Sequence, residues 1–320
     1  MRAPSVLGLG LLVLLSACSP STPVAAPSPA AQPVSPSPSP STVPVLPPVE
    51  DATGLPGAPL VAAPALRLAG AEPDGTARLE AGGRTYLLGP ARRVAPGTTP
   101  ALVMVLPAAN TTLREEYDRY ALDALRDHGV TVAVVGTYAA SWNAGACCGK
   151  AVVDGVDDVA AVTAVRDDVV RGTGADAARV AVLGHSVGAL MSWRLACTPE
   201  FDAAAVVAVA GTRVHPCPVP LPRLPHVLAL HGSEDASIPL KGSDRVVPLL
   251  GIAPPSVPQI TAEVAEAAGC TAAGTSTWTS CAGGGSVRLT VLPGRGHAWE
   301  DLDATRLTAA FLAEVLPGVR

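Results

Sequence analysis

Six short runs of nearly unbroken apolar residues, separated by longer amphipathic stretches, constrain this chain more than any other feature. They cover 101–106, 130–135, 179–183, 205–210, 227–231 and 287–292, and they are rich in Val, Leu and Ala. A strand that is apolar at every position is covered on both faces, as in mainly parallel sheets; half-solvated antiparallel strands alternate instead. The segments between the runs supply the cover, and helices are expected at 113–127, 154–170, 187–197, 262–268 and 304–316. The fold class is therefore α/β, a mainly parallel sheet with helices on both faces, with 84–88 as an antiparallel edge strand. In the helix at 154–170, Val156, Val159, Ala160, Val162, Thr163 and Val165 fit a buried stripe. Asp157, Asp158, Arg166, Asp167 and Asp168 are expected to face water. The Pro-rich stretch 248–258 is read as a loop or a lid insertion.

That pattern begins only after the first sixty or so residues. Arg2 and an apolar run from Val6 to Leu15 precede Leu15-Ser16-Ala17-Cys18. The run is too short for a membrane span, which needs ~20 residues, and has the layout of an export signal. Leu-Ser-Ala-Cys resembles a bacterial lipobox, which implies that residues 1–18 are a lipoprotein signal and that Cys18 becomes the lipid-modified first residue. The other reading is an ordinary secretory signal. Residues 19–63 hold eleven prolines between Pro20 and Pro48 and lack helical or strand periodicity, so they read as a disordered, semi-rigid tether. One α/β domain is expected at 64–320. No membrane contact is expected beyond the Cys18 anchor.

Charge excludes one class of partner. The chain carries 27 acidic against 22 basic side chains, a formal net charge of −5, so nucleic acid is not an expected partner. Past Cys18 there are six cysteines, Cys147, Cys148, Cys197, Cys217, Cys270 and Cys281. An even number in an exported domain points to disulfides, with no metal or cofactor implied. Local spacing favours Cys270 with Cys281 and, less strongly, Cys197 with Cys217. The neighbours Cys147 and Cys148 are expected to need at least one partner from elsewhere, and that pairing stays open.

The chemistry is carried by Gly184-His185-Ser186-Val187-Gly188, which leaves the strand at 179–183 and opens a helix. In that context G-x-S-x-G is a nucleophile elbow, with Ser186 forced to the top of the sheet. A serine hydroxyl needs a base to take its proton and a carboxylate to orient that base, and on this fold they follow in the order Ser, acid, His. His297, in a Gly-rich loop beyond the last strand, is where the base belongs. His185, His215, His226 and His231 read as packed or surface residues, His231 with a structural bond in the following turn. Asp235, leaving the strand at 227–231, is the expected acid, with Glu234 and Asp244 as competitors. The tetrahedral intermediate needs two backbone donors, expected from Val187 and, because Pro107 has no N–H, from Ala109 with Ala108 in reserve.

Together these residues resemble the extracellular poly(3-hydroxybutyrate) depolymerase and feruloyl esterase family of α/β-hydrolases. Matching stretches include Gly83-Arg84-Thr85-Tyr86, Trp142-Asn143-Ala144-Gly145-Ala146-Cys147-Cys148-Gly149, the elbow, Arg194-Leu195-Ala196-Cys197, His231-Gly232 with Asp235, and Gly296-His297-Ala298-Trp299. The resemblance implies a serine esterase acting on polyhydroxyalkanoate, feruloyl or related acyl esters through Ser186, Asp235 and His297. It departs from the family where Pro107-Ala108 replaces a usual His-Gly, and where Glu300 replaces a proline. Trp142 and Trp299 are read either as an apolar clamp for the substrate or as packing beneath the loops. Two further readings stand beside the esterase: a non-catalytic surface-binding lipoprotein on the same fold, and a peptidase.

Overall fold

A computed structural model describes residues 60–319 apart from 65 and 67. The expected signal, Cys18 and all of the tether up to residue 59 lie outside the described residues. Where the tether was expected to end, β1 (Val61–Ala62) instead pairs antiparallel with β4 (Arg93–Val94). Backbone pairing therefore begins before residue 64.

The main sheet is built from β2 (Ala77–Ala81), β3 (Arg84–Gly89), β5 (Ala101–Leu106), β6 (Val130–Val135), β7 (Val180–His185), β8 (Ala205–Val209), β9 (His226–Gly232), β10 (Thr271–Ala272), β11 (Thr277–Thr279) and β12 (Ser286–Leu292). Their order is β10-β11-β12-β9-β8-β7-β5-β6-β3-β2. The six central strands, β12 through β6, are the six apolar runs, and all are parallel. Residues 84–88 do form an antiparallel strand, but β2 lies outside it and takes the edge.

Successive residues of the central strands face opposite sides of the sheet. In β5, Leu102, Met104 and Leu106 pack into one core with Val162 and Val165, while Ala101, Val103 and Val105 pack into a second with Tyr117 and Phe311. The first core is roofed by α4 (Asp158–Thr173), α5 (Val187–Ala196) and α6 (Val257–Ala267). The second is roofed by α1 (Leu113–Arg119), α2 (Leu122–Arg126) and α7 (Ala304–Val315). Both faces are covered, as continuous apolar strands require.

Two expected helices differ, one broken and one starting late. The one at 113–127 ends at Tyr120 because Ala121 is left-handed (φ 51°), and a second helix starts at Leu122. The one at 154–170 begins only at Asp158, as α4, after left-handed Gly155 ends a separate short helix, α3 (Gly149–Val153), that was not expected; the Asp157 carboxylate caps α4 by accepting from the Ala160 N–H at 3.0 Å. Asp158 does not face water. It is fully buried and paired with Arg84 at 2.5 Å, a partner 74 positions away that helical periodicity cannot reveal. Val156, Val159 and Thr163 are only half-buried and Ala160 is exposed, while Ala161 and Val169 complete the buried stripe. The stretch at 248–258 is fastened down: Val247 bridges Ile252, Leu250 is buried, the Pro255 carbonyl accepts from the Thr212 hydroxyl at 3.1 Å, and α6 begins at Val257.

The disulfides are Cys197–Cys217, Cys270–Cys281 and Cys147–Cys148. The first two are the expected local pairs. The third corrects the expectation of an outside partner, because the other four cysteines satisfy one another and the two neighbours bond across a cis peptide. Among the described residues no helix is long and apolar enough to cross a membrane.

Candidate active site

Ser186 sits at the hinge between β7 and α5 with φ 56° and ψ −123°. A non-glycine residue reaches that region only when its surroundings over-determine it. Here the Ser186 N–H donates to the Val209 carbonyl at 3.0 Å, and the Ala189 and Leu190 amides bond the Ser186 carbonyl. The turn also needs its second glycine. A Cβ on Gly188 would lie 2.7 Å from the Pro107 oxygen and inside contact with the Leu106 oxygen, so main chain touches main chain there.

Two loops from other strands meet Ser186. His297 follows β12, and its Nε2 is 3.0 Å from the Ser186 Oγ; its Nδ1 is 2.7 Å from an Asp235 carboxylate oxygen. A carboxylate only accepts, so Nδ1 carries the hydrogen and Nε2 is left to accept from the serine hydroxyl. The Asp235 side chain is fully buried, whereas its competitors Glu234 and Asp244 are exposed. Its other oxygen accepts from the Ser237 and Ile238 amides at 2.9 and 2.8 Å. Burial pushes the Asp235 carboxyl up, but the bonds from His231, His297 and Ile238 outweigh it and hold it well below the usual carboxylate range.

Three strand spacings separate β7 from β12, about 14 Å at ~4.8 Å per step, so the His297 loop has to reach back over β9 and β8. Gly232 permits this. The carbonyls of Arg295 and Gly296 occupy the space its Cβ would take, the Glu234 amide bonds the Arg295 carbonyl at 2.9 Å, and the Gly294 amide bonds the Ser233 hydroxyl at 2.8 Å.

Two histidines read as bystanders belong to this arrangement. His185 turns away from Ser186 but packs against His297: its Nε2–H donates to the His297 carbonyl at 2.9 Å, with the ring centroids 5.2 Å apart. Burial lowers its pKa to about 4, so it is neutral beside His297. His231 donates from Nε2 to the Ile238 carbonyl at 2.8 Å, as expected of a structural bond, and also stands 3.3 Å from Asp235. Neither role has a sequence signal beyond a histidine next to a motif residue. His215 and His226 stay outside: Arg213 donates to the His215 carbonyl, and His226 faces Ser286.

Val187 is the first residue of α5, so its N–H has no acceptor within the helix and points out of the helix's positive end. Ala109 lies in the loop after β5 that presses on the elbow. Neither tryptophan lines a clamp. Trp142 is fully buried and donates to the Pro107 carbonyl at 3.0 Å. Trp299 is 2% exposed, stacks on Tyr120 at 3.9 Å and donates to the Thr305 hydroxyl at 2.9 Å. Both rings find partners in other segments that draw them under the loops. A groove of about 860 Å³ lies away from this site, lined by Arg213, Val219, Pro220, Glu263 and Ala267 among others. Among the described residues no His, Cys, Asp or Glu group gathers as a metal site.

No family model matches the chain, and no curated protein does. Solved structures do. Acetyl xylan esterase from Aspergillus awamori is 15% identical, with 73% of this chain and 99% of that one covered at a TM-score of 0.51. A puromycin-hydrolyzing peptidase from Mycobacterium tuberculosis is 15% identical over 77% of this chain and 40% of its own, at 0.50. An α/β serine hydrolase without a lid from Xanthomonas campestris is 16% identical over 77% and 97%, at 0.46. With its parallel sheet covered on both faces, the chain has the α/β-hydrolase fold.

Proposed function

We propose that this chain is a serine hydrolase of carboxylic esters, working through an acyl-enzyme. The observation that carries the reading is the continuous bond path from Ser186 Oγ through His297 to Asp235, at 3.0 and 2.7 Å. Ser186 attacks the ester carbonyl while His297 Nε2 takes its proton. Asp235 holds the tautomer and stabilises the imidazolium, and His297 then returns the proton to the departing alkoxide. The developing oxyanion is taken up by the Val187 amide and by an amide of the loop after β5, Ala109 or Ala108, with the N-terminus of α5 adding favourable field. Water attacks the acyl-enzyme by the same route in reverse.

The fold alone does not choose between ester and peptide bonds, since both kinds of hydrolase stand among its structural neighbours. The ester reading is supported by the Trp-Asn-x-Gly-x-Cys-Cys-Gly segment and its companions, which point to polyhydroxyalkanoate, feruloyl or short acyl esters. The lipobox-like Leu15-Ser16-Ala17-Cys18 supports a chain exported and held by lipid at the outer side of a membrane or in the cell wall. Purified protein is expected to turn over one class in a panel of p-nitrophenyl butyrate, hydroxybutyrate oligomers and methyl ferulate, and to be labelled by a fluorophosphonate. Ser186→Ala is expected to abolish both without lowering thermal stability. Full turnover in that variant would reject the assignment, and absence of labelling in the wild type would favour a binding protein on this fold.

A further inference from the structure

We infer that Trp142 is a positioning residue for the oxyanion hole, acting through its indole N–H on the carbonyl of Pro107. The inference rests on the serine-hydrolase reading above. Pro107 directly follows β5 and has no N–H, so its backbone can be fixed by hydrogen bonding only at the carbonyl. That carbonyl receives the Trp142 Nε1–H at 3.0 Å, across 35 positions of sequence and with the indole wholly out of water.

The consequence is a matter of peptide planarity. A trans peptide holds its C=O and the next N–H in one plane, pointing opposite ways. Fixing the Pro107 carbonyl thus fixes the direction of the Ala108 N–H. The Ala108 carbonyl is held in turn by the Thr111 hydroxyl at 3.0 Å, which fixes the Ala109 N–H. The two amides available to an oxyanion from this loop are therefore aimed by two side-chain donors, one local and one distant.

The distant one is firmly mounted. The Trp142 carbonyl accepts from the Cys148 and Ala144 amides at 2.7 and 3.1 Å. Next to it, the Asn143 amide donates to buried Asp158 at 2.7 Å, and the Asn143 carbonyl accepts from Arg194 at 2.5 Å. Arg194 belongs to α5, the helix that begins immediately after Ser186. One anchor therefore references the oxyanion loop to the same helix that presents the nucleophile and the Val187 amide.

The test removes the N–H and keeps the ring. Trp142→Phe is the simple variant; benzothienylalanine at position 142, with sulfur in place of N–H, is the near-isosteric one and decides the matter if Phe does not fold. The readouts are kcat and KM on p-nitrophenyl butyrate and the inhibition constant of butylboronic acid, whose tetrahedral adduct on Ser186 sets an oxygen in the hole. Complete loss of an oxyanion donor costs ~10²–10³-fold in kcat, so a loosened one is expected to cost about tenfold or more. Boronate affinity should fall in parallel, with KM within about threefold. A Trp that only stabilised the fold would lower the melting temperature and leave both quantities unchanged at assay temperature. Full kcat and boronate affinity in a folded isosteric variant of an active enzyme overturns the positioning role alone. A wild type that neither hydrolyses esters nor takes the fluorophosphonate overturns the hydrolase reading and this inference with it.

Discussion

Gly188→Ala probes the contact on which the elbow depends. A Cβ built there lies 2.7 Å from the Pro107 oxygen and 2.8 Å from the Leu106 carbonyl carbon, and closer still to the Leu106 oxygen. Real Cβ atoms essentially never come within 3.0 Å of such atoms. All of these neighbours are backbone, so no side chain can swing aside, and Leu106 is itself fully buried at the end of a central strand. The β5 loop and the first turn of α5 must therefore separate, by on the order of 1 Å, a misplacement that costs ~10²-fold in rate. That corresponds to about 2.7 kcal/mol of transition-state stabilisation at ~1.36 kcal/mol per decade, the low end of what removing an oxyanion donor costs. Overpacking removes ~1–3 kcal/mol of stability, partly offset by the ~1 kcal/mol by which Ala outranks Gly within a helix. The variant should remain folded while kcat on p-nitrophenyl butyrate falls about a hundredfold. Gly172→Ala is the matched control, because a Cβ there in α4 meets nothing within 4 Å; it should keep full activity. A folded Gly188→Ala enzyme with kcat within threefold of wild type would refute the argument.

Asp235→Asn should lower kcat by about 10⁴-fold through the wrong imidazole tautomer, measured in the same assay; retention of a tenth of the activity would remove Asp235 from the mechanism. His185 gives a stability prediction with a definite sign. Its folded pKa of about 4 lies below the unfolded value of ~6.5, so its contribution is complete above pH ~6.5 and is lost as the pH falls toward 4. Urea midpoints followed from pH 7 to 4.5 should drop more steeply for wild type than for His185→Gln. The difference is the readout, because burial lowers His215 and His226 as well; equal slopes would contradict the assignment of a buried neutral imidazole.

The six central strands were legible because a doubly covered strand writes its burial into every residue. The elbow was legible because its glycines stand between such a strand and a helix. From there, chain order and strand ends pointed to Asp235 and His297, which the fold brings within bonding reach of one another, with His297 also within reach of Ser186. What escaped depends on partners far along the chain. β2 (Ala77–Ala81) is half-exposed and offers no apolar run. Asp158 looked like part of a solvated face until Arg84 supplied its counter-charge. Trp142 and Trp299 were correctly placed in loops around the site, yet their depth is decided by the Pro107 carbonyl and by Tyr120. Local spacing gave two disulfides, but it offered no reason for Cys147 to choose its neighbour.

The crossing of the Arg295-Gly296 main chain over Gly232 divides the molecule for anyone who wishes to retune it. Where bare backbone lies against bare backbone, no side chain exists to be exchanged, and every substitution at the crossing acts as an insertion of matter between catalytic parts. Exposed side chains such as Val246 and Leu249, by contrast, can be exchanged without touching that crossing. A mutational library that spares 184, 188 and 232 should yield folded variants far more often than one spread evenly over the residues nearest the serine.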